Sequence, residues 1–307
     1  MMNGLGFLLS IVSSLLFPGI IAITKAKMSG RKGPGIFQPL FDVARLLRKG
    51  SIYSATTSIV FQVAPVIYFA SIVVAMLFMP FGRYKGLFSF DVDFVFFAYL
   101  LAVGKFMMII GAMDTGSGFE GMGANREALY SLLVEPAFFI LMGSLALLTN
   151  HASFYDLFTH IHFESFLSYL FALLGIYLLV QIAMVENSRM PIDDPKTHLE
   201  LTMIHEVMVL DNSGIDMCLI HLATGLKFAL YGGLIANFIF PDAWPLYAQI
   251  VVFLAVNLLF AIAVGLLESF RARNKLAQNP KWLLALSSIS MAAFLSVLAI
   301  THKYFIE

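Results

Sequence analysis

FLSYLFALLGIYLLVQIAMV (Phe166–Val185) runs without a break into ENSRMPIDDPKTHLEL (Glu186–Leu201). The first stretch is twenty residues with no charge, about the length needed to cross the hydrocarbon core of a bilayer as a helix. The second is dense in charge. Glu186, Asp193, Asp194, Glu200 and Glu206 fall within twenty-one residues, interleaved with Arg189, Lys196, His198 and His205. Charge this dense at the mouth of a membrane helix is costly unless it is paired or wet, and a proton or ion route is the default reading where it persists.

The rest of the chain agrees with a membrane setting. Its 307 residues are 60% hydrophobic and 12% charged, against roughly 25% charged residues in a soluble domain. Eight apolar runs are long enough to span, at about 4–24, 58–80, 93–113, 128–149, 165–186, 216–239, 246–269 and 282–303. The pattern predicts one all-α domain over 1–307, a polytopic membrane helical bundle with an additional interfacial amphipathic helix. The first run is read as a span and not as a removable signal, because its basic residues follow it.

Charge asymmetry predicts an orientation. Lys25, Lys27, Arg31, Lys32, Arg45, Arg48 and Lys49 follow the first span. Arg126 lies in loop 114–127, Arg189 and Lys196 in loop 187–215, and Arg271, Arg273, Lys275 and Lys281 in loop 270–281. The opposite side carries only Arg83, Lys85 and Lys303. The positive-inside rule then puts these four loops in the cytoplasm and both termini outside, which requires an even number of spans.

Two of the cytoplasmic loops are patterned. In SGRKGPGIFQPLFDVARLLRKG (29–50), Ile36, Leu40, Val43 and Leu47 recur at helical spacing, with Asp42, Arg45, Arg48 and Lys49 on the other face. This is a basic amphipathic helix for the interface. It serves either as a plain surface helix or as the wall of a lateral binding site. In DTGSGFEGMGANRE (114–127), glycine richness points to a solvated turn or to close approach of another chain. Glu120 and Glu127 share a face there only if the stretch is helical.

Four ionisable groups fall inside spans: Lys105 in the third, Glu135 beside Pro136 in the fourth, Lys227 in the sixth and Glu268 closing the seventh. A lysine at a helix centre costs on the order of 2.5–3.5 kcal/mol. Structural pairing, for instance Lys105 with Glu135, is the bland explanation, although buried pairs are poor stabilisers. The functional explanation is a hydrated file of titratable groups conducting protons or binding Na+, reached through Glu127, Glu186, Glu200 and Glu206.

Cofactor chemistry within the chain is argued against. Cys218 is the sole cysteine, so internal disulfides and Cys-ligated clusters are excluded. His205-Glu206 is not followed by the second histidine of a zinc motif, and neither a P-loop nor a dinucleotide fingerprint is present. His198 and His205 alone make an unconvincing metal site. No metal, no catalytic residue and no nucleic-acid partner is expected; the surroundings are the lipid bilayer.

Three blocks carry a family resemblance across essentially the whole chain. They are Arg31-Lys32-Gly33-Pro34-Gly35-Ile36-Phe37-Gln38 with Asp42 and Leu46-Leu47; Asp114-Thr115-Gly116-Ser117, Ala124-Asn125-Arg126-Glu127-Ala128 and Val134-Glu135-Pro136; and the signature Glu186, Arg189, Pro191, Asp193, Pro195, Glu200, Leu201. Together they resemble the subunit 1 family of respiratory complex I. The hydrogenase-4 and formate hydrogenlyase branch of the membrane-bound group 4 [NiFe]-hydrogenases is the nearer likeness. Lys196 and His198 stand where the quinone-reducing branch usually has glutamates, which tells against quinone-type chemistry.

The resemblance implies a non-catalytic membrane-anchoring and ion-translocating component of a hydrogenase-type oxidoreductase complex in the cytoplasmic (inner) membrane. The [NiFe] centre and [4Fe–4S] clusters of that complex would lie in hydrogenase-like large and small subunits on the cytoplasmic side, with antiporter-like membrane subunits alongside. The resemblance makes Lys105, Glu127, Glu135, Glu186, Asp193, Glu200, Glu206, Lys227 and Glu268 the expected ion pathway. Arg31, Lys32, Gly33, Pro34, Asp42, Arg45, Asp114, Glu120, Arg126 and Arg189 become the expected docking residues. The competing readings are the quinone-site subunit of an NADH–quinone oxidoreductase, a stand-alone ion transporter and an inert anchor. The quinone reading requires an apolar tunnel between the first spans and the interfacial helix. The transporter reading is weakened by the lack of an evident internal repeat.

Overall fold

A computed structural model describes residues 4–82, 84–160, 166–193, 203–240 and 244–306, with only the backbone at 166–168, 300 and 302–306. Asp194, Lys196, His198 and Glu200, and the side chains of Arg83 and Lys303, lie outside the described residues. Eleven α-helices appear among the described residues: α1 (Leu5–Met28), α2 (Gln38–Leu46), α3 (Ile59–Phe78), α4 (Asp93–Asp114), α5 (Gly118–Thr149), α6 (Phe154–Thr159), α7 (Phe166–Glu186), α8 (His205–Met208), α9 (Gly214–Asn237), α10 (Leu246–Phe270) and α11 (Asn279–Ile306). Eight of them, α1, α3, α4, α5, α7, α9, α10 and α11, are long and apolar enough to cross a membrane. The chain is an all-α polytopic membrane bundle.

Contacts between loops sort the connections into two ends. At one end Ser58 N–H donates to Asp114 Oδ2 (2.7 Å), Ser51 Oγ to the Ser213 carbonyl (3.2 Å) and Asn274 N–H to the Pro191 carbonyl (2.9 Å). These join the segments after α1, α4, α7 and α10, the same four that hold most of the basic residues. At the other end Asn237 bridges the Pro80 carbonyl and Gly82 N–H (2.9 and 3.1 Å), and Asp93 Oδ1 accepts from Phe154 N–H (2.6 Å).

Small residues set how closely the helices approach, as expected where lipid supplies no hydrophobic drive between helices. Gly104 of α4 faces Ser71 and Tyr68 of α3, and Gly111 lies against Ala64. Gly225 of α9 lies against the Ser14 carbonyl of α1, and Gly265 of α10 against Thr24. Where contact is polar, hydrogen bonds tie helix to helix: Ser287 of α11 donates to the Leu133 carbonyl of α5 (2.9 Å). Aromatic packing fills the centre, with Phe17 stacked on Phe228 at 5.0 Å and meeting Phe260 edge-on at 5.4 Å.

Two expectations change in detail. The glycine-rich 114–127 stretch is a turn only at 115–117; from Gly118 onward it forms the first turns of α5. Each glycine weakens a helix by about 1 kcal/mol. Here Gly123 offsets that cost, since its bare Cα lets α5 meet Val207 and the Ile204 carbonyl. The second refinement is that the first part of loop 187–215, residues 187–193, is enclosed, with its charges paired. Asn187, Ser188 and Asp193 are buried, so α7 stops inside the bundle. The amphipathic helix is present as α2, with none of its residues buried.

Gly19 of α1 sits so close to the Ile36 carbonyl that no Cβ fits between them. Gly19→Ala should therefore cost about 1–3 kcal/mol by overpacking against backbone. Gly143→Ala, at a helical site with open space around it, should gain roughly 0.5–1 kcal/mol. Melting of the two variants in the same detergent checks both signs.

Candidate functional site: a buried charge cluster beside a lateral cavity

The end of α7 lands between two lysines. Glu186 Oε1 is 2.9 Å from Lys105 Nζ of α4, and Oε2 is 2.9 Å from Lys227 Nζ of α9. Lys105 Nζ is also 3.1 Å from Glu127 Oε1 of α5, and Lys227 Nζ donates to the Glu186 carbonyl at 2.9 Å. Four helices thus meet in one network of two cations and two carboxylates. Lys227 is fully buried and Lys105 is 6% exposed. Groups this enclosed stay charged only where each is matched in charge and hydrogen bonding.

Glu135, one turn beyond Ser131 on α5, pairs with neither lysine by contact. It lines a small cavity of about 40 Å³ with Lys105, Glu186 and Tyr231, opening between α4 and α5 past Tyr99 and Phe139. Lys105 is matched by Glu127 and Glu186, where pairing with Glu135 is the bland expectation from sequence. Lys227 additionally faces the Tyr68 ring at 5.8 Å.

Three further ion pairs, built on two carboxylates, flank the cluster at the basic-loop end. Glu268 of α10 takes Lys25 of α1 (2.9 Å) and Arg189 (3.3 Å), and Arg189 also covers the Phe228 ring at 5.1 Å. Asp193 takes Arg273 (2.9 Å) and accepts the backbone N–H groups of Ile204 and His205 (3.1 and 3.0 Å). Asp193 therefore fastens α8 and the segment after α10 to the buried stretch of chain behind α7.

A cavity of about 370 Å³ lies between α1, α2 and α9. Pro18, Ile21, Leu40 and Val43 supply apolar wall, and Lys25, Asp42, Arg189, His205, Glu206 and His221 supply polar groups. Ser188 and Asn187, next to Glu186, form its inner wall, so cavity and cluster are separated by one layer of chain. Burial holds the His205 imidazole down to about 4. The nearby Lys227 and Lys105 act in the same direction against the pull of Glu127. His205 is thus neutral at physiological pH, a hydrogen-bonding wall to the cavity instead of a cation.

The docking residues divide. Arg31, Lys32, Gly33 and Pro34 are exposed, as are Asp42 and Arg45, which pair at 3.6 Å. Asp114 holds the start of α3. Three turn into the chain itself: Arg189 as above, Arg126 onto the Met203 carbonyl (3.0 Å), and Glu120, which is 1% exposed. Ser117-Gly118-Phe119-Glu120 has capping-box spacing, yet Glu120 turns away and Oε1 accepts Asp211 N–H (3.0 Å). Glu200 lies outside the described residues. Lys25, Ser188, His221, Tyr231 and Arg273 join the site without a sequence signal beyond their type, because each is brought in from a different element. No group of three or more His, Cys, Asp or Glu side chains able to hold a metal occurs among the described residues.

Glu186→Ala would leave the buried Lys227 ammonium without a carboxylate and Lys105 with Glu127 alone. Breaking a buried pair costs about 3–5 kcal/mol, so this variant should melt well below Lys105→Met, which leaves the Lys227–Glu186 pair intact. His205 supplies a pH test. Its folded pKa lies below the unfolded value near 6.5, so the unfolded chain binds more protons between about pH 4 and 6.5. Stability should fall as pH drops through that window, and His205→Asn should flatten the fall in melting curves.

Comparison with known proteins places these features in a family. The family model described as NADH dehydrogenase matches residues 3–299. Hydrogenase-4 component C of Escherichia coli (strain K12) is 28% identical over 280 residues, covering 87% of each chain. Formate hydrogenlyase subunit 4 of the same organism is 25% identical over 299 residues, covering 92% of this chain and 94% of that one. A chain of the membrane-bound sulfane sulfur reductase, an archaeal respiratory membrane complex, shares the fold with a TM-score of 0.80 at 18% identity, over 97% of this chain and all of that one. With the family model spanning nearly its whole length, this chain belongs to the NADH dehydrogenase family, as a relative of hydrogenase-4 component C and formate hydrogenlyase subunit 4.

Proposed function

We propose that this chain is the membrane-anchoring and ion-translocating subunit of a hydrogenase-type respiratory complex. The observation that carries the reading is the Lys105–Glu186–Lys227 triad, completed by Glu127 and neighboured by Glu135. A membrane anchor needs apolar packing and gains little from paired ions inside it. A proton or Na+ route needs ionisable groups within the bundle, and the cluster places two lysines and two carboxylates there, with Glu135 lining the small cavity beside them.

In this reading the bundle sits in the cytoplasmic (inner) membrane with both termini outside. Hydrogenase-like large and small subunits dock on the basic loops and carry the [NiFe] and [4Fe–4S] centres, with antiporter-like subunits alongside. Redox steps in that arm shift the segments after α1, α4 and α7. The Asp193–Arg273 and Glu268–Arg189 pairs pass the shift to the Glu186 end of α7. The charge movement is then handed to Glu135 and the opening between α4 and α5.

One observation favours a second reading, the quinone-site subunit of an NADH–quinone oxidoreductase. The cavity between α1, α2 and α9 has the volume and the partly apolar wall that a quinone headgroup and its first isoprenoid unit require.

Lys227→Met and Glu135→Leu, made in the intact complex in membrane vesicles, test the leading reading. The expected result is redox turnover that persists while the ion gradient is lost. If turnover and gradient are both untouched, the cluster is inert and the chain is an anchor alone. Nickel and a hydrogenase-type subunit in the purified complex separate the first reading from the second, for which flavin and a quinone-sensitive turnover are expected.

A further inference from the structure

Glu120 is a fully buried carboxylate of α5 that this structure leaves without a cation among the described residues. The helix presents Glu120, Glu127 and Ser131 on its buried face, with Glu135 at its edge. Glu127 is matched by Lys105, while no ion pair reaches Glu120 among the described residues. The side chain is 1% exposed, and Oε2 has no hydrogen-bond partner among the described residues. Oε1 accepts one N–H, from Asp211.

Among the described residues, the groups around it do not solvate an anion. From the α4–α5 link comes Thr115, whose hydroxyl proton is already given to the Ala112 carbonyl at 2.9 Å. Its oxygen can accept from Glu120 but its proton is committed. Asp114, at the end of α4, is engaged with Ser58 N–H. From α8 come His205 and Glu206; His205 interacts with Glu127, the two lysines and His221. From the α8–α9 turn comes Asp211, an exposed carboxylate whose negative charge acts directly on Glu120. The positive end of the α5 dipole and a single N–H do not replace the hydration lost by a fully enclosed carboxylate beside a like charge.

We propose that Glu120 holds a proton in the resting bundle and exchanges it with solvent through Asp211, making this corner of α5 a proton-loading site at the basic-loop end of the bundle. The step is a proton transfer only. The Oε2–H bond of Glu120 breaks, the proton passes to the Asp211 carboxylate or to water beside it, and Oε1 keeps the Asp211 N–H. Its use as a supply for the inner cluster rests on the ion-translocation reading above; the proton on Glu120 does not.

Difference infrared spectroscopy of the intact complex in native-lipid vesicles, exchanged from H2O into D2O at neutral pH, tests this. The expected result is a carboxylic-acid C=O band that Glu120→Gln removes, that Glu120→Asp shifts, and that Asp211→Asn retains with slower deuterium exchange. Gln keeps the acceptor for Asp211 N–H, and the Asp variant guards against a Gln variant that fails to assemble. No acid band assignable to Glu120 overturns the proposal. An unchanged exchange rate in Asp211→Asn overturns the route through Asp211. Unchanged ion uptake in Glu120→Gln vesicles overturns the loading role. If Lys227→Met vesicles still take up ions while the Glu120 band behaves as described, it is the function reading that fails.

Discussion

The contact on which the bundle turns is the Glu186 carboxylate shared between Lys105 and Lys227. Each lysine alone would resist insertion at its depth, and each is matched by one oxygen of the same carboxylate, Lys105 by Glu127 as well. The same contact bears on why α7 stops inside the bundle: the Glu186 carbonyl, which a continued helix would bond to its own next turn, accepts from Lys227 instead. It also explains why the following residues are buried and irregular. Non-helical backbone at membrane depth is tolerated where protein or a polar cavity encloses it, and Asn187, Ser188 and Arg189 form the wall of such a cavity.

From that point outward the polar framework has a regular construction. Glu268 and Asp193 each join elements far apart in sequence: Glu268 binds Arg189 of the short segment just after α7, and Asp193 ties that segment to Arg273. The segment is thereby held by α1, α10 and the start of α11 as well as by α4 and α9. A displacement of any of these connections alters the surroundings of Glu186 without direct contact with it. One set of side chains both holds this segment in place and sets the electrostatic surroundings of Glu186.

Much of this is legible in the sequence. The eight spans follow from run length alone, and their ends agree with the helices to within a few residues except at α5. There three glycines mask a helix whose stability comes from packing against α8, a tertiary cause that no local propensity reports. Lys105, Lys227 and Glu186 stand out by type and depth, because a charge in an apolar run is conspicuous. Their partners do not. The choice of Glu127 over Glu135 for Lys105 depends on which face of α5 turns inward, and Pro136 beside Glu135 draws attention to the wrong turn of the helix. Arg273 and Lys25 read as ordinary basic loop residues, since their inward direction is set by Asp193 and Glu268, far away in the chain.

Counting charge across the cluster gives two ammonium groups and two carboxylates, an electrically balanced core. Unit charges about 4 Å apart interact by about 4 kcal/mol even at an effective dielectric constant of about 20, so a single added or removed proton leaves an imbalance the apolar surroundings cannot screen. Such a core tolerates net charge only briefly. Electroneutrality therefore ties any change of charge at Glu186 to a compensating change among Lys105, Lys227 and Glu127.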